Sequence, residues 1–244
     1  MRIAIISDIH GNSWALKSVL EDISKKSSDL IVNLGDILYG PLDPKGTYDL
    51  MLSQDIISIS GNEDRIIVEN QNNQNCKETI KYVINQLNNK ALDWLIDLPK
   101  KLVLESGLFL CHGTPQSDTT YLLEDLKDNH VGIKRENELN ELLSGINQRI
   151  ILCGHSHKPK IVDLETKLII NPGSVGLSAF TDDEPVFHKM ENHNNLAQYC
   201  LLDIDGNDIR VEQISISYDF EKAAASAESN KSIDWARWIR TGRA

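Results

Sequence analysis

The chain has 244 residues and a formal net charge of −11, with 25 Lys and Arg against 36 Asp and Glu. This length supports one substantial α/β domain that buries its core without disulfides, and we predict a single domain over residues 1–244. The acidic balance argues against an extended nucleic-acid surface, because phosphate backbones bind clustered Lys and Arg, whereas a small phosphorylated substrate is compatible with it.

Cysteine spacing and hydropathy bear on the cellular compartment. The four cysteines stand singly, without a C-x-x-C pair, which favours reduced thiols over disulfides or a thiolate zinc site. No apolar run approaches the ~18 residues of a membrane span, and residues 1–7 are too short for a signal peptide. We therefore expect a cytoplasmic protein that does not bind a membrane.

Strands and helices alternate through the first part of the chain. Apolar, β-branched runs predict buried strands at residues 2–7, 30–34 and 56–60. Apolar positions at helical spacing predict helices at residues 13–26 and 46–54. This alternation is typical of a parallel sheet with right-handed crossovers.

The pattern changes after residues 76–98, which we predict to form one helix ending before Pro99. The later elements are predicted as two short strands within 102–112, a buried strand at 149–155, hairpins at 160–171 and 198–216, and a helical segment at about 219–240. The second half is therefore expected to be a mostly antiparallel sheet closed by the terminal helical segment.

Residues 113–147 interrupt this sheet with polar sequence that favours helix, and we interpret them as an insertion or lid. Their acidic, Thr-rich segment 116–128 does not resemble a surface for a long polyanion. The segment thus favours small substrates.

Side chains that bind metals follow five separate apolar runs of the sequence. They are three oxygen ligands and four imidazoles: Asp8, His10, Asp36, Asn62, His112, His155 and His157. Residues at the carboxyl ends of strands in an open α/β sheet share one crevice, so these groups can converge. The set suits divalent Mn, Fe or Zn, and the lack of thiolate argues against a purely structural zinc site.

Seven ligands are too many for one open metal site and suit two divalent ions. Two ions ~3.5–4 Å apart can clamp the attacking and leaving oxygens of a phosphoryl transfer, with a hydroxide between them as nucleophile. Asp36 is the natural bridging carboxylate. The alternative is that Asp8 and Asn12 merely cap the following helix, which leaves the pairing of His155 with His157 unexplained.

Five sequence blocks resemble the calcineurin-like metallophosphoesterase family. They are Asp8-Ile9-His10-Gly11-Asn12, Gly35-Asp36, Gly61-Asn62-Glu63-Asp64, His112-Gly113 and Gly154-His155-Ser156-His157. The blocks occur in the family's order, and residues 171–176 also resemble the compact bacterial members. The resemblance implies an α/β fold with a two-sheet β-sandwich flanked by helices.

The resemblance also implies how the ligands divide and what the protein does. Asp8, His10, Asp36 and His157 would hold one metal, and Asp36, Asn62, His112 and His155 the other. Asp36, Asn62 and His112 would thus belong to the catalytic centre of a metal-dependent phosphatase. Phosphodiesters, dinucleoside polyphosphates and phosphoproteins are alternative substrates, and a non-catalytic scaffold, like one retromer coat subunit, is the rival function.

One position departs from the family pattern. The family commonly has histidine after the metal-binding asparagine, to assist the leaving group, and this chain has Glu63. Two nearby cations would drive Glu63 and the neighbouring candidate Asp64 towards their ionised forms, which are poor general acids at neutral pH. We therefore hypothesise a preference for good leaving groups, such as aryl phosphates or pyrophosphate links.

Two further residues are candidates for substrate contact. Arg65 can grip a phosphate, because a guanidinium matches phosphate geometry, or it forms an ordinary surface ion pair. Asn12 is a candidate for orienting the substrate. Near the end of the chain, Trp235, Trp238 and Ile239 are predicted to lie on the inner face of a docked helix.

Overall fold

Fourteen strands and eight helices form within residues 1–127 and 130–244, the parts of the chain that the computed structural model describes. The strands are β1 (Arg2–Ile6), β2 (Leu30–Asn33), β3 (Ile56–Ser58), β4 (Lys101–Val103), β5 (Leu108–Cys111), β6 (Glu124–Lys127), β7 (His130–Ile133), β8 (Ile150–Leu152), β9 (Lys160–Asp163), β10 (Leu168–Asn171), β11 (Ala179–Asp182), β12 (His188–Glu191), β13 (Ala197–Asp205) and β14 (Asp208–Ile216). The helices are α1 (Ser13–Lys25), α2 (Pro44–Leu52), α3 (Asn62–Glu69), α4 (Glu78–Gln86), α5 (Asn89–Asp97), α6 (Glu136–Leu142), α7 (Phe220–Ser229) and α8 (Ile233–Thr241).

The first sheet has the strand order β14-β13-β1-β2-β3. Its β1, β2 and β3 are parallel, as the strand and helix alternation predicts, with Ile3 opposite Leu30. The β13-β14 hairpin turns as predicted, but it joins this sheet antiparallel to β1, with Ile5 opposite Cys200. The prediction that it belongs to a separate sheet of the second half is therefore wrong.

The second sheet has the order β4-β5-β8-β10-β9. Its three inner strands, β5, β8 and β10, are parallel, and only its edge strands are antiparallel. The expectation of a mostly antiparallel sheet is thus wrong, because other elements separate β5 from β8 and β8 from β10 along the chain and allow these strands to run parallel. The predicted hairpin of β9 with β10 is confirmed.

The two sheets pack face to face, and the side-chain alternation of β1 explains how. Ile3 and Ile5 are fully buried between the sheets, where they meet Leu110 and Leu152 of the second sheet. The intervening side chains point to the other face and pack under α1 with Leu16 and its neighbours. Period-two alternation therefore gives a sandwich with helices outside, and the predicted α/β fold is confirmed.

The single helix predicted over residues 76–98 is wrong, because two helices occupy this segment. Leu87 is extended, with φ −93° and ψ 146°, and ends α4. Asn88 then caps α5, with its side chain accepting a hydrogen bond from the Ala91 amide. An asparagine cap inside an apparently continuous apolar pattern restarts the helix in a new direction.

The helical prediction for residues 113–147 is also wrong for most of the segment. It contains the β6-β7 hairpin and one helix, α6, while residues 128–129 lie outside the described parts. Leu122 and Leu123 are buried against α6 and the outer face of the second sheet. Apolar anchoring to the sheet decides this conformation, and the role of the segment as a lid stays a prediction.

The C-terminal region differs from its prediction in two details. The helical segment at about 219–240 is divided into α7 and α8 at Lys231, which has φ +61°. The β11-β12 hairpin was not predicted. Within the described ranges, no helix has the length and apolar character needed to cross a membrane.

Candidate metal centre

The carboxyl ends of parallel strands from both sheets bring the predicted ligands together. Asp8, Asp36 and Asn62 follow β1, β2 and β3, and His112 and His155 follow β5 and β8. Two groups form, in each of which the ligand atoms lie within 4.8 Å of one another: Asp8, His10 and His157 in the first group, Asp36, His112 and His155 in the second. All six side chains are buried, and the described residues thus contain two adjacent candidate metal sites.

Asp36 lies between the two groups. Its Oδ2 is 3.3 Å from Nε2 of His112 in the second group and 3.9 Å from Nε2 of His10 in the first. Asn62 joins the second group, since its Oδ1 is 3.0 Å from Nε2 of His112. One carboxylate therefore reaches both groups, which is the position that a bridging ligand requires.

Backbone carbonyls fix the orientation of three of the imidazoles. Nδ1 of His10 lies 3.1 Å from the Tyr39 carbonyl oxygen, and Nδ1 of His157 lies 2.6 Å from that of Leu177. Nδ1 of His112 is 2.8 Å from the Leu34 carbonyl, completing the same pattern. A carbonyl only accepts, so each Nδ1 donates, and Nε2 is the ring nitrogen that faces the site.

The Nε2 atoms of His10 and His157 face each other. These two atoms are 3.0 Å apart. Burial, followed by repulsion from His157, lowers the pKa of His10 to about 4, so the His10 ring is neutral at neutral pH. His155 has a buried Nε2 without a partner, and burial, followed by repulsion from His112, lowers its pKa to about 4. Converging acceptors without protons fit a divalent cation.

In the second group, Asp36 and His112 favour each other's charged forms. Although burial opposes the change, Asp36 raises the pKa of His112 to about 10. His112 in turn lowers the pKa of Asp36, again against the effect of burial. A charged pair thus forms in the protein alone, and a cation on this group would replace the proton of His112.

The backbone at the candidate ligands lies in the left-handed region. Five ligand residues have positive φ values: Asp8 (54°), His10 (52°), Asp36 (54°), His155 (68°) and His157 (57°). This conformation is uncommon for residues other than glycine and costs energy unless the surrounding structure imposes it. Such strain is commonly held at functional sites, which agrees with these residues as candidate ligands.

The Asp36 carboxylate is held by the turn that leads into α3. Its Oδ1 accepts a hydrogen bond from the Glu63 amide at 2.8 Å. Gly61 packs so closely that a Cβ at this position would overlap the same oxygen. A glycine before Asn62 is therefore a steric requirement of the carboxylate position.

The segment 171–176, noted in the sequence for its resemblance alone, positions Asp8. The Ser174 hydroxyl donates to the Asp8 carbonyl at 2.7 Å, and the Gly176 amide donates to it at 3.0 Å. The His155 amide lies 3.2 Å from Oδ2 of the same aspartate. The segment thus fixes a ligand from behind and adds no ligand of its own.

Glu63 and Asp64 occupy different environments. Glu63 lines the pocket beside the site, and burial, followed by repulsion from Asp36, raises its pKa to about 8. Asp64 accepts amide hydrogen bonds from Gly61 at 3.0 Å and Ile37 at 2.9 Å, and the same two effects raise its pKa to about 7. Two bound cations would oppose these shifts and favour the ionised carboxylates that the sequence predicts.

The two candidates for substrate contact have partners within the protein. Nε of Arg65 lies 2.7 Å from Asp118 Oδ2, and the same guanidinium also pairs with Glu69, which matches the ion-pair alternative. Asn12 is fully buried; its Oδ1 accepts from the Ala15 amide and its Nδ2 donates to the Gly176 carbonyl. Asn12 thus caps α1, and neither residue lines the pocket beside the ligands.

A pocket of about 230 Å³ opens beside the two groups. It is lined by His10, Asp36, Tyr39, Asn62, Glu63, Lys77, His155, His157, Leu177, Phe180, Thr181, Asp182, Trp235 and Trp238. The predicted apolar stripe of α8 does face the protein, since Ile239 is buried there with Ala236, and Trp235 and Trp238 pack against the same cluster. That the two tryptophans also line the pocket was not predicted from the sequence.

The chain is similar to known proteins in sequence and in fold. An uncharacterized protein of Methanocaldococcus jannaschii is 27% identical over 259 residues, which cover 96% of this chain and 94% of that protein. The fold is similar to that of a metallophosphoesterase from Sphaerobacter thermophilus (TM-score 0.76, 22% identity, 99% of each chain). It is also similar to a hypothetical protein from Pyrococcus horikoshii OT3 (TM-score 0.75, 19% identity, 99% of this chain and 98% of that one).

The family assignment rests on the sequence match together with the site. Residues 1–195 match the calcineurin-like phosphoesterase superfamily domain, a range that contains all seven candidate ligands. Membership of this family supports hydrolase activity. The chain therefore belongs to the calcineurin-like phosphoesterase superfamily.

Proposed function

We propose that the protein is a dinuclear metal-dependent phosphoesterase that hydrolyses esters or anhydrides of small phosphorylated compounds. The observation that carries this proposal is the position of Asp36, whose Oδ2 lies within 4 Å of an imidazole of each ligand group. Two divalent ions, when bound, supply Lewis-acid stabilisation of phosphoryl charge and a nucleophile near neutral pH.

The residues of the chain have three tasks in this reaction. The buried imidazoles, oriented by backbone carbonyls, present their Nε2 atoms as ligands, and Asp8 and Asp36 add the compensating negative charge. Asn62 completes the second group with a neutral oxygen. The mixture of nitrogen and oxygen donors suits Mn²⁺, Fe²⁺ or Zn²⁺.

The pocket supports a small substrate. Its volume of about 230 Å³ suits a compact molecule, and Lys77 is the cationic side chain among its lining residues. Phosphomonoesters, phosphodiesters and dinucleoside polyphosphates all remain within the proposal, with good leaving groups preferred because Glu63 replaces the usual histidine. A cytoplasmic location belongs to the same proposal and agrees with the four free thiols.

The test is a metal-by-substrate screen on chelated protein. The protein is stripped of metal, reloaded with Mn²⁺, Fe²⁺ or Zn²⁺, and assayed with p-nitrophenyl phosphate, bis-p-nitrophenyl phosphate and a diphosphate ester. We expect two ions per chain and turnover that depends on them, with a loss of at least ~100-fold in kcat for Asp36→Asn. His193→Ala, which changes an exposed histidine, is the matched control.

Two outcomes would overturn the proposal. Turnover in the chelated protein equal to that of the loaded protein would exclude metal dependence. Two bound ions without turnover of any ester would instead favour the non-catalytic scaffold that shares this fold.

A further inference from the structure

We propose that α8 provides an aromatic wall that stacks on a planar ring of the substrate. The inference rests on the proposed function and narrows its substrate class to phosphate esters or anhydrides that carry a nucleobase or aryl group. In the sequence α8 lies beyond residues 1–195, which match the family domain.

Four aromatic side chains meet beside the first ligand group. The ring of Trp235 lies edge-on to His10 at a centroid distance of 5.8 Å, and Phe180 is tilted against His157 at 4.5 Å. Trp238 and Tyr39 extend this surface, at 6.2 Å and 6.3 Å from Trp235. A ring bound against this surface would place its phosphate at the ligands.

Docking of α8 onto the protein uses smaller side chains in addition to the two indoles, which pack against the same cluster. The helix is held by Ala236 and Ile239, which are buried against the small residues Ala223, Ala224 and Ala227 of α7. Trp235 and Trp238 are only partly buried and line the pocket. Large aromatic surface left open beside a catalytic centre is characteristic of ligand binding.

A second observation indicates that the stability of the fold alone does not explain a tryptophan at position 238. Its Nε1 is buried without a hydrogen-bond partner in the described parts of the chain. An unsatisfied buried donor destabilises a fold, and phenylalanine would fill much of the same space without that donor. The indole is thus a poor choice for packing and a good one for stacking.

The polar groups near the wall suit a heteroaromatic ring. Strand β11 contributes Thr181 and Asp182 to the pocket beside Phe180. A carboxylate accepts hydrogen bonds, so Asp182 matches the amino or N–H edge of a nucleobase, while the aromatic faces are indifferent to ring identity. Nucleobases and simple aryl rings can both stack on the aromatic wall, but only a nucleobase offers such a polar edge to Asp182.

The test compares two ligands that differ only in the base with a third that carries a simple aryl ring. Adenosine 5′-monophosphate and ribose 5-phosphate carry the same phosphate ester, and phenyl phosphate carries a ring without a nucleobase edge. Binding of each to the metal-loaded protein is measured by isothermal titration calorimetry. We expect adenosine 5′-monophosphate to bind about 10-fold more tightly than ribose 5-phosphate, a preference that Trp238→Leu removes and Trp238→Phe keeps.

The controls separate this inference from the proposed function. Arg237→Ala changes an exposed residue of the same helix and should leave the preference unchanged, while thermal unfolding shows whether each variant is folded. Equal affinity of the wild type for the two ligands would overturn the aromatic wall even if esters are hydrolysed. A base preference without turnover would retain the wall and reject the catalytic proposal.

Discussion

The hydroxyl oxygen of Tyr121 lies 2.9 Å from Nε2 of His188, while the tyrosine ring stacks on His155 with centroids 4.5 Å apart and planes inclined by 26°. Nδ1 of His188 lies 2.8 Å from the Val186 carbonyl oxygen and therefore donates to it. Nε2 of His188 then accepts a hydrogen bond from the Tyr121 hydroxyl. This chain of contacts fixes the plane of a candidate ligand through a residue of the segment predicted as a lid.

Replacing Tyr121 with leucine should weaken metal binding without removing any ligand. Loss of the stack frees the His155 ring, and changes in groups that orient a ligand typically lower metal affinity by about 10- to 100-fold. Tyr121→Phe keeps the ring and should stay within about 3-fold of the wild type. Titration of chelated protein with Zn²⁺ measures both, and equal affinities for the leucine variant and the wild type would refute the orienting role.

Metal binding at the candidate ligands should stabilise the fold. A ligand at 100 times its dissociation constant adds about 2.7 kcal/mol to the free energy of unfolding, provided that it binds only the folded state. We expect Mn²⁺ or Zn²⁺ to raise the thermal midpoint of the wild type and of His193→Ala, and to raise that of His157→Ala much less. A similar rise in all three proteins would place the ions elsewhere.

Gly61→Ala should damage the site by steric overlap. The new methyl group would collide with the Asp36 carboxylate, whereas the backbone of Gly61, at φ −93°, accepts alanine without strain. We expect at least ~10-fold weaker metal binding and a loss of about 1–3 kcal/mol in stability. Gly132→Ala, where a Cβ meets nothing closer than 3.8 Å, is the control and should behave as the wild type.

The free energy of unfolding should fall as the pH rises because the buried Glu124 loses its proton. This carboxyl is buried, and burial raises its pKa from 4.5 to about 7 in the folded protein. A folded-state pKa above the unfolded one stabilises the fold below pH ~4.5, and this contribution is lost as the pH rises to ~7. Glu124→Gln removes the effect, so its stability relative to wild type should increase by on the order of 2 kcal/mol between pH 4.5 and 8.

Urea unfolding of chelated protein at the two pH values measures this difference. Glu105→Gln, which changes an exposed glutamate, is the control. A constant difference between Glu124→Gln and the wild type would mean that folding does not raise the pKa of Glu124.

Local sequence patterns predicted much of the fold. Runs such as 2–7 and 30–34 are strands because nearly every side chain is apolar and both faces of the sheet are covered. The candidate ligands could be found because strand ends converge wherever the strands are parallel. The break at Asn88 escaped prediction since the apolar periodicity continues through it, and only the side-chain cap reveals the new helix.

Contacts between distant segments account for the rest. One of the two partners of Arg65 is Asp118, 53 residues away, and no local pattern joins these two residues. Tyr121 and Trp238 are aromatic residues in segments without a motif, so the sequence alone does not say which ring faces His155 and which faces the pocket. Their positions follow from how the second sheet and α8 pack.

The left-handed backbone at five ligand residues has a consequence for evolution and engineering. At His10 and His157 a glycine would relax the main chain, whereas alanine would keep the strain and lose the imidazole. His10→Gly should therefore unfold at a higher temperature than His10→Ala when both are free of metal. Stability and function oppose each other at these positions, and mutations selected only for a robust fold would drift away from histidine.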